Sequence, residues 1–232
     1  MNIEKKLAYL HYLKKFVTKE RQEKIKEVLA LRTRYVTIAL EDVAQSQNVA
    51  AIMRTCEAMG LQDLYAIERD KAIDIKTNVA RGAVQWMNLH RYQVHSFEDP
   101  TLACIKDLQA RGYLVAATSP HATKTLSELP IDKKIAFVFG TENIGLTDTA
   151  LEAADERISL PMYGFVESFN VSISAALCLY DVVTRLRASN IPWQLTPDEA
   201  LATEVAWMEH SVERPELMKA TFLKTYDAER LQ

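Results

Sequence analysis

The sequence predicts an α/β protein with a mostly parallel sheet and flanking helices, and two observations predict it. Short apolar runs alternate with helical patterns, the arrangement that a parallel sheet with crossover helices requires. In addition, three of only six glycines, Gly140, Gly145 and Gly164, fall within 25 residues, in turns that directly follow two of the runs. Ligands of open α/β sheets bind outside the carboxyl ends of strands, so those turns are where a site is expected.

Taken in order, apolar positions at Leu7, Leu10, Leu13, Phe16 and Val17, then Ile25, Val28 and Leu29, fit two short helices or one broken near Thr18. Residues 35–40 (Y-V-T-I-A-L) read as a strand, 48–59 as a helix capped by Asn48 and stopped by Gly60, and 61–67 as a second strand. Further strands are expected at 113–118, 135–139 and 157–160, with helices at 102–111, 147–155 and from 171 to about 189. After I-P-W at 191–193, residues 196–232 are polar and helical. Three parts follow: a basic helical extension over 1–34, a central domain over 35–190, and a helical extension over 191–232.

No run approaches the roughly 18 apolar residues of a membrane span, and M-N-I-E-K-K lacks the apolar core of a signal peptide, so the expected location is the cytoplasm. Cys56, Cys104 and Cys178 each lie in a helical pattern far from the others and read as buried thiols, with no metal role. Net charge is −3, but residues 1–34 carry ten Lys or Arg against four Glu, a net of +6, which leaves −9 for the remainder. A basic arm on an acidic body suits a polyanionic partner. A solvated helix face with pairs such as Glu20 and Lys24 explains the same charges.

The stretch E-S-F-N-V-S-I-S-A-A-L, residues 167–177, places polar residues at every second position just before an apolar helix. Positions two apart do not share a helix face, and one Ser or Asn suffices as an N-cap. The surplus, beside the open amides of a helix N-terminus, points to a ligand. Two post-strand loops lie near it: F-G-T-E-N-I-G-L after 139 and P-M-Y-G-F-V-E-S-F-N after 160. Neither is a G-x-G-x-x-G or a P-loop, which argues against a dinucleotide or a nucleoside triphosphate. A third element, N-V-A-A-I-M-R-T-C-E-A-M-G at 48–60, carries Arg54 on a different face from Asn48; a surface pair with Glu57 is the simpler account of it.

Together, N-x-x-A-x-x-R-T-C-E-A-x-G, F-V-F-G-T-E-N-x-G-L and L-P-M-x-G-x-V-E-S-F-N-V-S-I-S-A-A-L resemble, in this order, the three motifs of the SpoU branch of the SPOUT methyltransferases. The chain departs from that pattern at Phe169, where Leu is usual, and at Asn143, where a small residue is usual. The resemblance covers residues 35–190. It implies a parallel sheet with a C-terminal trefoil knot, a homodimer, and methyl transfer from S-adenosylmethionine to a ribose 2′-hydroxyl of RNA. It also implies that Arg54, Asn48, Glu142, Ser168 and Asn170 form the active site, and that Thr118, Gly140, Leu160 and Phe169 contact the cofactor.

A ribose hydroxyl is a poor nucleophile at neutral pH, and the three blocks hold no histidine or aspartate to serve as base. An arginine is fully protonated in water, so Arg54 is read as gripping the substrate phosphate and stabilising the developing alkoxide, with a phosphate oxygen or water taking the proton. Whether it is base or clamp stays open. Short helical extensions at both ends resemble the kind of SpoU enzyme that methylates guanosine 18 in the D-loop of tRNA. Lys14, Lys15, Lys19, Arg21, Lys24 and Lys26 would then grip RNA phosphates. A ribosomal RNA ribose is the alternative substrate, and an RNA-binding dimer without catalysis the alternative class.

Overall fold

A computed structural model describes residues 1–73, 82–142 and 144–229. In chain order the first elements are α1 (Ile3–Lys14), α2 (Lys19–Leu29), β1 (Val36–Glu41), α3 (Ser46–Ala58), β2 (Asp63–Glu68) and β3 (Asn88–Gln93). There follow α4 (Pro100–Ala110), β4 (Tyr113–Thr118), β5 (Lys124–Thr125), β6 (Lys134–Phe139), α5 (Asp148–Ala153) and β7 (Glu156–Ser159). The chain ends with α6 (Val171–Arg187), α7 (Pro197–Glu209) and α8 (Pro215–Glu229). Two compact units form: residues 33–193, and the two ends of the chain, 1–32 with 194–232.

The central unit is a seven-stranded sheet in the order β3-β2-β1-β6-β4-β7-β5. Every pairing is parallel. Alternation along the strands sorts side chains onto two faces. Ile38, Leu40, Phe137 and Phe139 enter one core with Ile52, Met53 and Cys56 of α3 and Leu179, Val182 and Leu186 of α6. Ala39, Ala117, Ala136 and Val138 enter the other with Cys104, Ile105 and Leu108 of α4 and Ala150 of α5. Each fully buried large side chain contributes roughly 1.5–3 kcal/mol. All three cysteines are buried free thiols, and burial pushes the Cys178 thiol up to about 12.

The register explains how distant blocks meet. Leu40 of β1 faces Phe139 of β6, so the loops leaving those strands emerge side by side. Next to β6 lies β4, and Thr118 at its end faces Ile158 of β7. The loops after β1, β6 and β7 therefore open on the same end of the sheet.

One sequence expectation is corrected, and two strands were not foreseen. Helix α3 starts at Ser46 with Gln45 as N-cap, so Asn48 is its third residue and does not cap it. Strand β3, N-L-H-R-Y-Q, was not expected: it is an edge strand, only Tyr92 of it is buried, and it lacks an apolar run. Strand β5 has two residues, too few for any periodicity.

The terminal unit is helical. Thr18 ends the break between α1 and α2 by accepting from Arg21 N, and Gln22 Nε2 donates back to Lys14 O at 2.8 Å and Val17 O at 2.7 Å. Tyr9 packs on Phe222 of α8 with ring centroids 5.0 Å apart, and the fully buried Arg32 lies 5.0 Å from the Trp207 ring of α7.

Candidate active site

Asn48 is buried, 8% exposed, and its Nδ2 donates to Gln45 Oε1 and to Glu142 Oε1, both at 2.8 Å. Asn170, the N-cap of α6, donates from its Nδ2 to the same Glu142 oxygen at 2.6 Å and to Asn48 Oδ1 at 3.2 Å. Its own Oδ1 accepts from Ser172 N at 2.9 Å and Ser172 Oγ at 2.6 Å. One residue from each of the three sequence blocks thus meets in a single network. Part of the polar surplus before α6 is explained: Asn170 caps the helix, and Ser172 turns its hydroxyl to Asn170.

The loop carrying Glu142 is held at both ends. Thr141 and Gly145 exchange two backbone hydrogen bonds, 3.1 and 2.9 Å, and Gly145 takes φ +77°, where a side chain would be strained. A Cβ on Gly140 would lie 2.1 Å from Gly145 O, so only glycine fits there. At the far end Thr147 caps α5, and its N and Oγ1 donate to the buried Glu41 carboxylate at 2.9 and 2.8 Å.

Arg54 and Ser168 stand apart from this network. Arg54 is exposed, six residues beyond Asn48 and about 120° around α3. Among the described residues its side chain has no ion pair, with Glu57 or any other group, and Ser168 is likewise exposed without a side-chain partner. Of the residues expected to contact cofactor, Leu160 and Phe169 line an open groove of about 380 Å³ with Leu126, Pro161, Leu177 and Tyr180. Asp181 and Arg185, paired at 2.6 Å, close one side of it. Thr118 and Gly140 do not line that groove; Thr118 Oγ1 donates to Val138 O at 2.9 Å and so ties β4 to β6.

The six basic residues lie in the terminal unit. Lys14 pairs with Glu204 of α7 at 2.8 Å, and Lys24 lies 3.4 Å from Glu27. Lys15, Lys19, Arg21 and Lys26 are exposed. Asn143 lies outside the described residues. No group of three or more His, Cys, Asp or Glu suited to a metal occurs among the described residues. Two contributors escape the sequence reading, Gln45 and Glu41. Glu41, a carboxylate ending an otherwise apolar strand V-T-I-A-L-E, is itself a visible signal; Gln45 carries none.

The three blocks also identify the fold family, since residues 35–180 match the model of the SpoU rRNA Methylase family. The chain belongs to the SpoU family. It is 40% identical over 194 residues to a tRNA (guanosine(18)-2′-O)-methyltransferase of Borreliella burgdorferi, covering 83% of this chain and 86% of that protein. It is 34% identical to the protein of the same name from Thermus thermophilus, over 71% of this chain and 82% of the relative. Among solved structures, the A. aeolicus TrmH/SpoU tRNA modifying enzyme superposes with a TM-score of 0.74 at 25% identity, covering 84% of this SpoU chain and 98% of the other.

Proposed function

We propose that this SpoU protein transfers a methyl group from S-adenosylmethionine to a ribose 2′-hydroxyl of RNA, and that its substrate is guanosine 18 of tRNA. The observation that carries the reading is the Asn48–Glu142–Asn170 network at the carboxyl ends of β1, β6 and β7, beside an apolar groove. Relatives named for this reaction, matched over most of their length, support the substrate.

The groove suits the cofactor: Leu126, Leu160, Phe169 and Leu177 offer apolar walls of the kind an adenine ring requires. S-adenosylmethionine, when bound, supplies an electrophilic methyl carbon on a sulfonium. In this reading Leu160 and Phe169 pack against it, Thr118 and Gly140 shape the strand ends, and Ser168 and Asn170 face the ribose. Arg54, an exposed and permanently charged guanidinium, binds the substrate phosphate and stabilises charge developing on the 2′ oxygen. Lys15, Lys19, Arg21, Lys24 and Lys26 bind further phosphates, Lys14 less so because Glu204 holds it.

The protein acts as a homodimer in this reading. Ile173, Leu177 and Tyr180 form an exposed apolar stripe on α6, and a second copy packed on it would border the cofactor groove that Leu177 and Tyr180 also line. In this reading the family's trefoil knot lies in the C-terminal part of the central unit. No helix among the described residues is long and apolar enough to cross a membrane. A cytoplasmic location is part of this reading, in keeping with a tRNA substrate.

The test uses two tRNA transcripts, one unmodified and one already carrying a 2′-O-methyl group at guanosine 18, with tritiated methyl donor. Label should enter the first and not the second. Equal labelling of both, or of neither, overturns the assignment.

A further inference from the structure

We propose that Glu142 takes the proton of the ribose 2′-hydroxyl through its outer carboxylate oxygen, Oε2, a role that rests on the reading of a ribose methyl transfer. The hydrogen bonds around it leave little choice. Oε1 already accepts from both Asn48 Nδ2 and Asn170 Nδ2. The second N–H of Asn48 goes to Gln45 Oε1, and that of Asn170 to Asn48 Oδ1. All four amide hydrogens are occupied, so neither asparagine has one to offer RNA.

The amides cannot be turned around. Flipping either would set a carbonyl oxygen against the carboxylate at the 2.6 or 2.8 Å now filled by a donor, which places two acceptors in repulsive contact. The orientation is therefore dictated by Glu142. Its Oε2 accepts from none of the described residues, and the residue is exposed. The cluster thus presents outward one fixed, anionic oxygen, which is what a general base requires. Arg54 has no free lone pair, so the division of labour is a cationic clamp and an anionic acceptor.

The step balances as follows. The 2′ oxygen forms its bond to the methyl carbon while the carbon–sulfur bond breaks; the bonding pair returns to sulfur and cancels its positive charge. The 2′ proton passes to Glu142 Oε2 and then to water, restoring the carboxylate. Gln45 is a positioning residue: by taking one Asn48 hydrogen it leaves the other for Glu142.

The experiment is single-turnover methylation of unmodified tRNA at saturating donor, with donor and RNA affinities measured in parallel. Glu142→Gln should slow methylation by about 10² or more, with both affinities within a few-fold of the parent. Glu142→Asp retains a carboxylate one methylene short and should fall between the two. A parent that transfers no methyl overturns the underlying reading and this proposal with it. A parent that does, with Glu142→Gln within about tenfold of it or faster than Glu142→Asp, overturns the proposal alone.

Discussion

Asp63 and Glu142, at opposite ends of the sheet, are held in opposite ways. Where the strands begin, Asp63 is buried, accepts from Asn88 Nδ2 at 2.8 Å, and bonds His90 Nε2 at 3.1 Å. Arg34 Nε lies 2.8 Å from its other oxygen, and the Tyr113 hydroxyl donates to Arg34 O at 2.6 Å. Burial pushes the Asp63 carboxyl up, but His90, Arg34 and Asn88 outweigh it and hold it below the usual carboxylate range. Where the strands end, Glu142 is also held by amides but keeps an oxygen open, and Arg54 and Ser168 stand in solvent. A carboxylate enclosed on all sides stabilises; one held on a single side is left available for chemistry.

Breaking the open end should give the largest effect. Arg54→Ala is expected to lower turnover by roughly 10² or more while donor affinity stays within a few-fold, read from kcat and donor calorimetry. Unchanged turnover would return Arg54 to the surface. Next comes Gly140→Ala: with a Cβ 2.1 Å from Gly145 O the loop must shift. A loss of about 1–3 kcal/mol, with weaker donor binding, is expected from thermal unfolding with and without cofactor.

At the closed end, Asp63→Asn should cost about 1.5–3 kcal/mol of stability at neutral pH with catalysis per folded molecule unchanged. The sign of its pH dependence follows from the depressed carboxyl. Its stabilisation is fully present above the unfolded value, near pH ~4, and is lost as pH falls through the folded value. Denaturant titrations from pH 7 to 3 should therefore show a steeper acid loss in the parent than in Asp63→Asn. The smallest effect is expected in the terminal unit: changing Lys15, Lys19 and Lys26 to Gln should flatten the salt dependence of tRNA binding by up to about 0.7–0.9 in log–log slope per lost contact. An unchanged slope would leave these lysines as a solvated face.

What could be read from the residues alone differs between the same regions. Strands such as Y-L-V-A-A-T and I-A-F-V-F are visible because both faces are buried and nearly every position is apolar. The edge strand N-L-H-R-Y-Q is not, since its polar residues answer to the buried carboxylates of Asp63 and Glu68 rather than to an apolar core. Asn48 illustrates the limit at the site. Asn before an apolar helix reads as a cap, and only the strand order, which sets β6 against β1, reveals that its amide turns to Glu142 instead. That order is a long-range property, absent from any local pattern; the family resemblance, not periodicity, is what points to the three blocks together.

The register that joins Val36 to Ile135 also bears on when the molecule becomes competent. The first strand has no partner on that side until the sixth has been made, and α6, which supplies Asn170, follows later still. Pairing across so much chain closes a long loop before any contact rewards it, so it forms slowly. On the ribosome the residues of the first block emerge long before Glu142 and Asn170 exist. A nascent or truncated chain carries an arginine and basic helices but no assembled carboxylate site. The Asn48–Glu142–Asn170 network can assemble only once the chain is made beyond α6.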